Sequence, residues 1–390
     1  MSAQPSDVHA LARSQRQFLL DLLEKLVDAE SPSSHPDAHR LVRSILQATL
    51  SESGIACRTV GNLQGAAHLL GRPRDRQPGA PLQLIVGHFD TVWPLGTTAR
   101  RPFSVSGNTV LGPGTFDMKG GLVQLLIALR VNKQLGIEMP ATPVIFLNAD
   151  EEIGSRTSTR WISRLAARSA RALVLEPALG RQGSLKTERK GVGRFTATVF
   201  GKAAHAGLDP EGGASAILEL SHVIQKLFAL NDADTGVSVN VGMIDGGLQA
   251  NVIAPHSKAI IDVRVPTVAD GRRVEEAIRS LRPETAGVRL QIEGGIGRPS
   301  MEATPRNSAL WRQAKSLGTA IGLDLESARA GGGSDGNTTS QFTATLDGLG
   351  PVGDGAHAEH EYLCIDQTLD RAALLALLLA SPVLPVEQQE

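Results

Sequence analysis

Apolar residues near the start of the chain recur at helical spacing. Phe18, Leu19, Leu22, Leu23 and Leu26 share one face, which predicts a helix over residues 11–27. A second helix is expected over about 38–51. Residues 72–81 are rich in Arg, Pro and Gly and read as a loop. Beyond them the pattern changes to short apolar runs that end in polar groups. Residues 82–86 lead into Gly87, His88, Phe89 and Asp90. Residues 143–147 lead into Asn148, Ala149, Asp150, Glu151 and Glu152, and 172–175 lead into Glu176 and Pro177. Helical patterns at 122–135 and 156–167 separate these runs. Strand–helix alternation predicts an α/β fold with a mainly parallel sheet. In such sheets the chemistry gathers beyond the carboxyl ends of the strands.

From about residue 191 the rhythm differs. A strand is expected over 194–200, a helix over 215–230 and strands over 237–243 and 259–265. A helix over 274–282 and a strand over 288–293 follow. This β-α-β-β-α-β order predicts a small ferredoxin-like α+β domain inserted into the larger one. The expected organisation is a first domain in two parts, 1–190 and 299–390, with the insertion at 191–298. Residues after Pro382 are expected to fray.

Composition narrows the function classes. A chain of 390 residues holds two cores of ordinary size. Lys and Arg number 39 against 40 Asp and Glu, so no strong pull toward nucleic acid or anionic lipid is expected. Aromatics are 3% of residues, too few for base-stacking platforms. Cys57 and Cys364 are far apart and are expected to be reduced thiols. The first 20 residues lack a basic stretch followed by an apolar core, and no apolar run is long enough to span a membrane. A cytoplasmic protein with no membrane or nucleic-acid partner is the expectation.

The candidate chemistry lies at the strand ends. His88 and Asp90 are two apart on a strand, so they face the same way. His88 can ligate a metal while Asp90 holds its other ring nitrogen; a surface His beside an Asp is an equal alternative. Asp117 sits in the loop Gly112-Pro113-Gly114-Thr115-Phe116-Asp117-Met118-Lys119-Gly120-Gly121. It can bridge two metals, or cap the helix that follows, which for the loop alone is the better reading. Asp150, Glu151 and Glu152 are three adjacent carboxylates that need a positive partner if buried, though a solvated loop is common. Glu176 and His357 mean little singly. Together these residues offer two His and three carboxylates as metal ligands, plus one spare carboxylate as general base.

Taken in order, the segments GHFDTV, GPGTFDMKGG, NADEEIGS, LEP, GKAAHAG, NVIAP with DVR, GGGSDGN and GAHAEHEY resemble the M20 metallopeptidase family. The texture is similar to its carboxypeptidase G2-like branch. The resemblance runs from about residue 82 to 362. It implies two zinc ions per subunit, with cobalt or manganese as chemically acceptable substitutes. By motif, His88 and Glu176 hold one ion, Glu152 and His357 the other, and Asp117 bridges them. Asp90 orients His88, and Glu151 is the general base. The insertion becomes a lid and homodimerisation module. His205 reaches the partner subunit's active site to stabilise an oxyanion. Asn251 and Arg264 bind the substrate's carboxylate, which suits the planar fork of Arg. Ser215 stands where members often carry Asn. The implied reaction cleaves the amide next to a free C-terminal carboxylate of a small peptide or N-acyl amino acid, releasing a residue such as glutamate. Arg298 and Lys186 could meet an acidic side chain, although surface basic residues are their commoner role. An N-acyl-amino-acid amidohydrolase and a non-catalytic binding protein of the same fold are the alternatives.

Overall fold

The computed structural model describes residues 4–61, 66–75 and 79–384. They form two compact units. One comprises Met1–Glu188, Ala303–Ala330 and Ser334–Glu390, and the other Arg189–Glu302 with Gly331–Gly333.

The first unit is built on a six-stranded sheet. Its order is Ile55–Gly61, Ala67–Pro73, Thr142–Asn148, Leu82–His88, Arg171–Val174 and Ala344–Leu346. The last four strands are parallel to one another, and the first two are antiparallel additions at one side. Alternation distributes the apolar side chains to both faces. Ile85, Ile145, Leu147 and Leu173 join the main core. Leu84, Val86, Val144, Phe146 and Ala172 face a second cluster under the helix Thr159–Ala166. The Thr142–Asn148 strand is buried at every position, as a strand covered on both faces must be. The helix Gly120–Gln134 lacks a polar face along most of its length because it packs against both the sheet and the helix Ile365–Ala380. Each fully buried Leu in this layer contributes roughly 1.5–3 kcal/mol of transfer free energy.

Several expectations need correction. The helix expected over 11–27 is two helices, Pro5–Arg13 and Arg16–Asp28. At the break, the Ser14 hydroxyl and the Gln15 amide both donate to the Leu11 carbonyl, diverting an acceptor from a continuous helix. The loop expected over 72–81 begins later, because Arg72 and Pro73 pair with Ala56 and Ile55 at the end of a strand; residues 76–78 lie outside the described residues. Cys57 and Cys364 are unpaired thiols. The tail from 385 onward also lies outside the described residues.

The second unit is an α+β layer pair. Its four antiparallel strands run in the order Ser238–Gly246, His256–Val265, Gly191–Phe200 and Arg289–Arg298. The helices Ala216–Phe228 and Val268–Arg279 cover one face. Phe195, Ala197, Val199, Ile261 and Val263 meet Leu220, Val223, Leu227, Val274 and Ile278 in its core. Both helices start at side-chain caps: Ser215 accepts from the Leu218 N–H, and Thr267 from that of Asp270. Ser215 thus has a structural task of its own.

Candidate metal centre

Strand register sets the positions of the site residues in the first unit. His88 pairs with Asn148, and Val86 with Val174. The Asp150–Glu152 turn and Glu176 therefore leave the sheet beside His88, at its carboxyl edge. The turn is closed by hydrogen bonds from Ser155 N to Asp150 O and from Gly154 N to Glu151 O. The Asp117 loop arrives from the adjoining helix. A Cβ on Gly121 would collide with the Leu175 carbonyl, so only glycine lets that helix start against the strand leading to Glu176. Asp117 is not a helix cap: the cap residue is Lys119, and no side-chain cap bond forms. His357 has φ +61°, a left-handed conformation uncommon outside glycine, in the turn before Tyr362–Cys364.

His88, Asp117, Glu151, Glu152, Glu176 and His357 come together there. His88 Nε2 lies 3.3 Å from Asp117 Oδ1 and 3.6 Å from Glu176 Oε1. His357 Nε2 lies 3.0 Å from Glu152 Oε2 and 3.6 Å from Asp117 Oδ2. The two oxygens of Asp117 thus face two different histidines. Two overlapping groups have ligand atoms within 4.8 Å of one another: His88 with Glu151 and Glu176, and His88 with Asp117 and Glu152. Distance alone does not separate Glu151 from the ligands.

The electrostatics call for a cation. Burial pushes the Glu152 carboxyl up to about 7, helped by the negative charges of Asp117 and Glu151 and opposed by His357. Glu152 Oε1 is buried without a hydrogen-bond partner among the described residues. The bond to Glu152 pushes His357 up to about 9. His88 is fully buried, which would lower its pKa, yet Asp117 and Asp90 hold it well above the usual value. The carboxylates around the two histidines thus favour their protonated forms, a pull that a cation among the carboxylates would also satisfy. Imidazole nitrogens and carboxylate oxygens are the donor set of a divalent zinc-type centre, so these residues fit one.

Asp90 does more than the sequence suggests. His88 Nδ1 is 2.9 Å from the Asp90 carbonyl and 3.4 Å from its carboxylate. The carboxylate accepts instead from Ser33 Oγ at 2.7 Å and from the Glu151 and Glu152 N–H groups, each at 3.2 Å. It thereby fixes the turn that carries both glutamates. Sequence reasoning missed Ser33. It also missed Asp335, which accepts from Asn148 Nδ2 and Ser155 Oγ on either side of that turn. Lys186 is not a surface residue: it is buried, and its charge is among those that lower the Asp117 pKa.

The remaining expected residues lie on the second unit. His205 Nδ1 accepts from the Gly207 and Leu208 N–H groups, so the ring proton of the neutral imidazole sits on Nε2. His205 pairs with Val252, and the Asn251 carbonyl accepts from Ala206 N, so these two segments run side by side. Arg264 is forked to Asp262 through Nε and Nη2, at 2.8 and 3.1 Å. Arg264 and Arg298 both sit opposite Val192, on either side of it, and so share one face of the sheet.

The chain is similar to several known proteins. Residues 84–381 match the family described as peptidase family M20/M25/M40. Carboxypeptidase G2 of a Pseudomonas species is 27% identical over 381 residues, covering 94% of this chain and 90% of the relative. Acetylornithine deacetylase of Myxococcus xanthus is 27% identical over 67% of this chain and 70% of its own length. Among solved structures, the aminopeptidase PepT of Bacillus cereus superposes with a TM-score of 0.75 at 21% identity, covering 94% of this chain and 98% of that one. The family match and the His–carboxylate cluster together identify the chain as a metal-dependent hydrolase belonging to peptidase family M20.

Proposed function

We propose that this hydrolase is a dinuclear zinc enzyme that cleaves the amide bond next to a free C-terminal carboxylate, releasing an amino acid such as glutamate. The observation that carries the reading is Asp117, whose two oxygens face His88 and His357 separately, as a carboxylate between two ions must. His88 and Glu176 would hold one zinc, Glu152 and His357 the other. When bound, the ions supply Lewis acidity that lowers the pKa of water and offsets charge developing on the attacked carbonyl oxygen. Cobalt or manganese would suit the same donors.

Glu151 acts as general base, taking the proton of the attacking water and delivering it to the leaving amine nitrogen. The Asp90 carboxylate, bonded to the Glu151 N–H, keeps that side chain in place. His205 donates from Nε2 to the oxyanion, in a site completed by the partner subunit. Arg264 and Asn251 hold the substrate's α-carboxylate. Arg264 Nη1 makes neither of the bonds to Asp262, and Asp262 pre-orients the guanidinium. Arg298 lies two strands from Arg264 on the same face, about 10 Å away by strand spacing. That separation suits the second carboxylate of a glutamyl residue.

Homodimerisation through the second unit is part of this reading. The strand Ser238–Gly246 is a sheet edge, and Met243 and Ile244 on it and Leu248 just beyond are about two-thirds exposed or more (65%, 69% and 71%). A sedimentation coefficient of a monomer at assay concentration would remove this part. The likeness to acetylornithine deacetylase favours an N-acyl-amino-acid amidohydrolase as the second reading. A panel of N-acyl-glutamate, N-acyl-leucine and small dipeptides separates the two. At least tenfold preference for glutamyl substrates is expected. Equal cleavage of glutamyl and leucyl compounds would refute the acidic pocket, and turnover of acetyl amino acids alone would favour the second reading.

A further inference from the structure

Glu361 follows His357 by four residues and is 1% exposed. Its carboxylate collects four N–H donors from two other segments of the first unit. Oε1 accepts from Phe116 N and Asp117 N, each at 3.0 Å. Oε2 accepts from Gly114 N at 2.8 Å and from the Trp93 indole N–H at 2.9 Å. Gly114, Phe116 and Asp117 belong to the loop of the bridging carboxylate. Trp93 lies five residues beyond His88. The Glu361 N–H donates to Ala358 O at 3.1 Å, closing the turn that presents His357. A second connection runs parallel to the first: the Arg101 guanidinium stacks 4.4 Å over the Trp93 ring and its Nη2 reaches the Ala358 carbonyl at 3.5 Å.

We propose that Glu361 is a positioning residue that sets the spacing of three ligand-bearing segments, those of His88, Asp117 and His357. The inference rests on the dinuclear reading above. Four donors converging on two oxygens require an acceptor at both ends of the side chain. An ionised carboxylate supplies that, whereas the amide nitrogen of glutamine would confront two N–H donors. Groups behind metal ligands hold them in the geometry the ion needs, and losing one weakens metal binding without removing a ligand.

The test measures zinc affinity of the full chain by competition with a chromophoric chelator, with circular dichroism as the check on folding. Glu361→Gln is expected to bind zinc about 10–100-fold more weakly than the parent. The cobalt-substituted variant should show a shifted visible spectrum, because that absorption reports ligand geometry. Glu361→Asp keeps the charge but falls one methylene short, so a smaller, several-fold loss is expected. Should Glu361→Gln not fold, the aspartate variant decides. Zinc affinity within twofold of the parent in the folded variants, with a lower melting temperature, would mean that Glu361 serves stability alone and would overturn the proposal. A parent chain that itself binds no zinc would instead overturn the dinuclear reading, and this inference with it.

Discussion

Asp117 and the neighbouring pair Glu151 and Glu152 are the residues at which the proposed roles part. Asp117 faces both histidines, Glu152 pairs with His357 at 3.0 Å, and Glu151 groups with His88 and Glu176. If Glu151 is the base and Glu152 a ligand, their substitutions separate. Glu151→Gln should lower kcat by about 10²–10⁴-fold, the range of general-base catalysis, while both metals remain bound. Glu152→Ala should bind one metal fewer, measured by elemental analysis after gel filtration. Near-normal turnover in Glu151→Gln would sink the assignment. These residues were legible because each stands at the end of an apolar run or in a glycine-rich loop, where contiguous sequence shows the local setting. Glu361, Ser33 and Asp335 were not, since their partners lie far along the chain and only folding supplies them. The burial of Lys186 was not legible either, because nothing in its neighbours reveals that a strand of mixed composition is buried.

At the scale of elements, the first helix is tied to the last. Asp370 on Ile365–Ala380 accepts from His9 Nε2 at 2.7 Å and from Arg13 Nε and Nη2 at 2.8 and 2.9 Å, both on Pro5–Arg13. Burial alone would raise the Asp370 pKa, but the bonds from Arg13 and His9 bring it below the usual carboxylate value. A depressed acid stabilises the fold fully above its unfolded pKa of about 4, and the contribution is lost as pH falls through the lower folded value. Asp370→Asn should therefore cost about 1–2 kcal/mol at pH 7, discounted for the half-exposed Arg13. The gap between parent and variant in denaturant melts should close below about pH 4. A gap that persists unchanged at pH 3 would show that the pair contributes nothing through charge. The longer helices before residue 299 and three of the four parallel strands were visible from periodicity, whereas the strand Ala344–Leu346 and the helices Pro305–Thr319 and Ile365–Ala380 were not read. The strands Ile55–Gly61 and Ala67–Pro73 were not: the first is half exposed, with weak alternation, and the second ends in Arg and Pro. Proline is tolerated there because it ends the strand.

For the molecule as a whole, the residues that the sequence motifs single out fall on both units. The first gathers seven of the expected residues at one sheet edge: His88, Asp90, Asp117, Glu151, Glu152, Glu176 and His357. The second carries Arg264 and Arg298 on its antiparallel sheet, which has an exposed apolar edge, and His205 and Asn251 on two adjoining segments outside the strands. The β-α-β-β-α-β order was readable because its elements keep a clear period, although the second helix, expected over 274–282, begins at Val268 behind the Thr267 cap and ends at Arg279. The face that Arg298 occupies was not, because strand register is absent from the local pattern. No helix among the described residues is long and apolar enough to cross a membrane. The central claim is a hydrolytic centre built on two ions, and metal content measured alongside hydrolysis of an N-acyl-glutamate tests it most directly. About two zinc ions per chain are expected, with activity abolished by chelation and restored by zinc. Full activity after the metal has been stripped, or with only one ion bound, would contradict it.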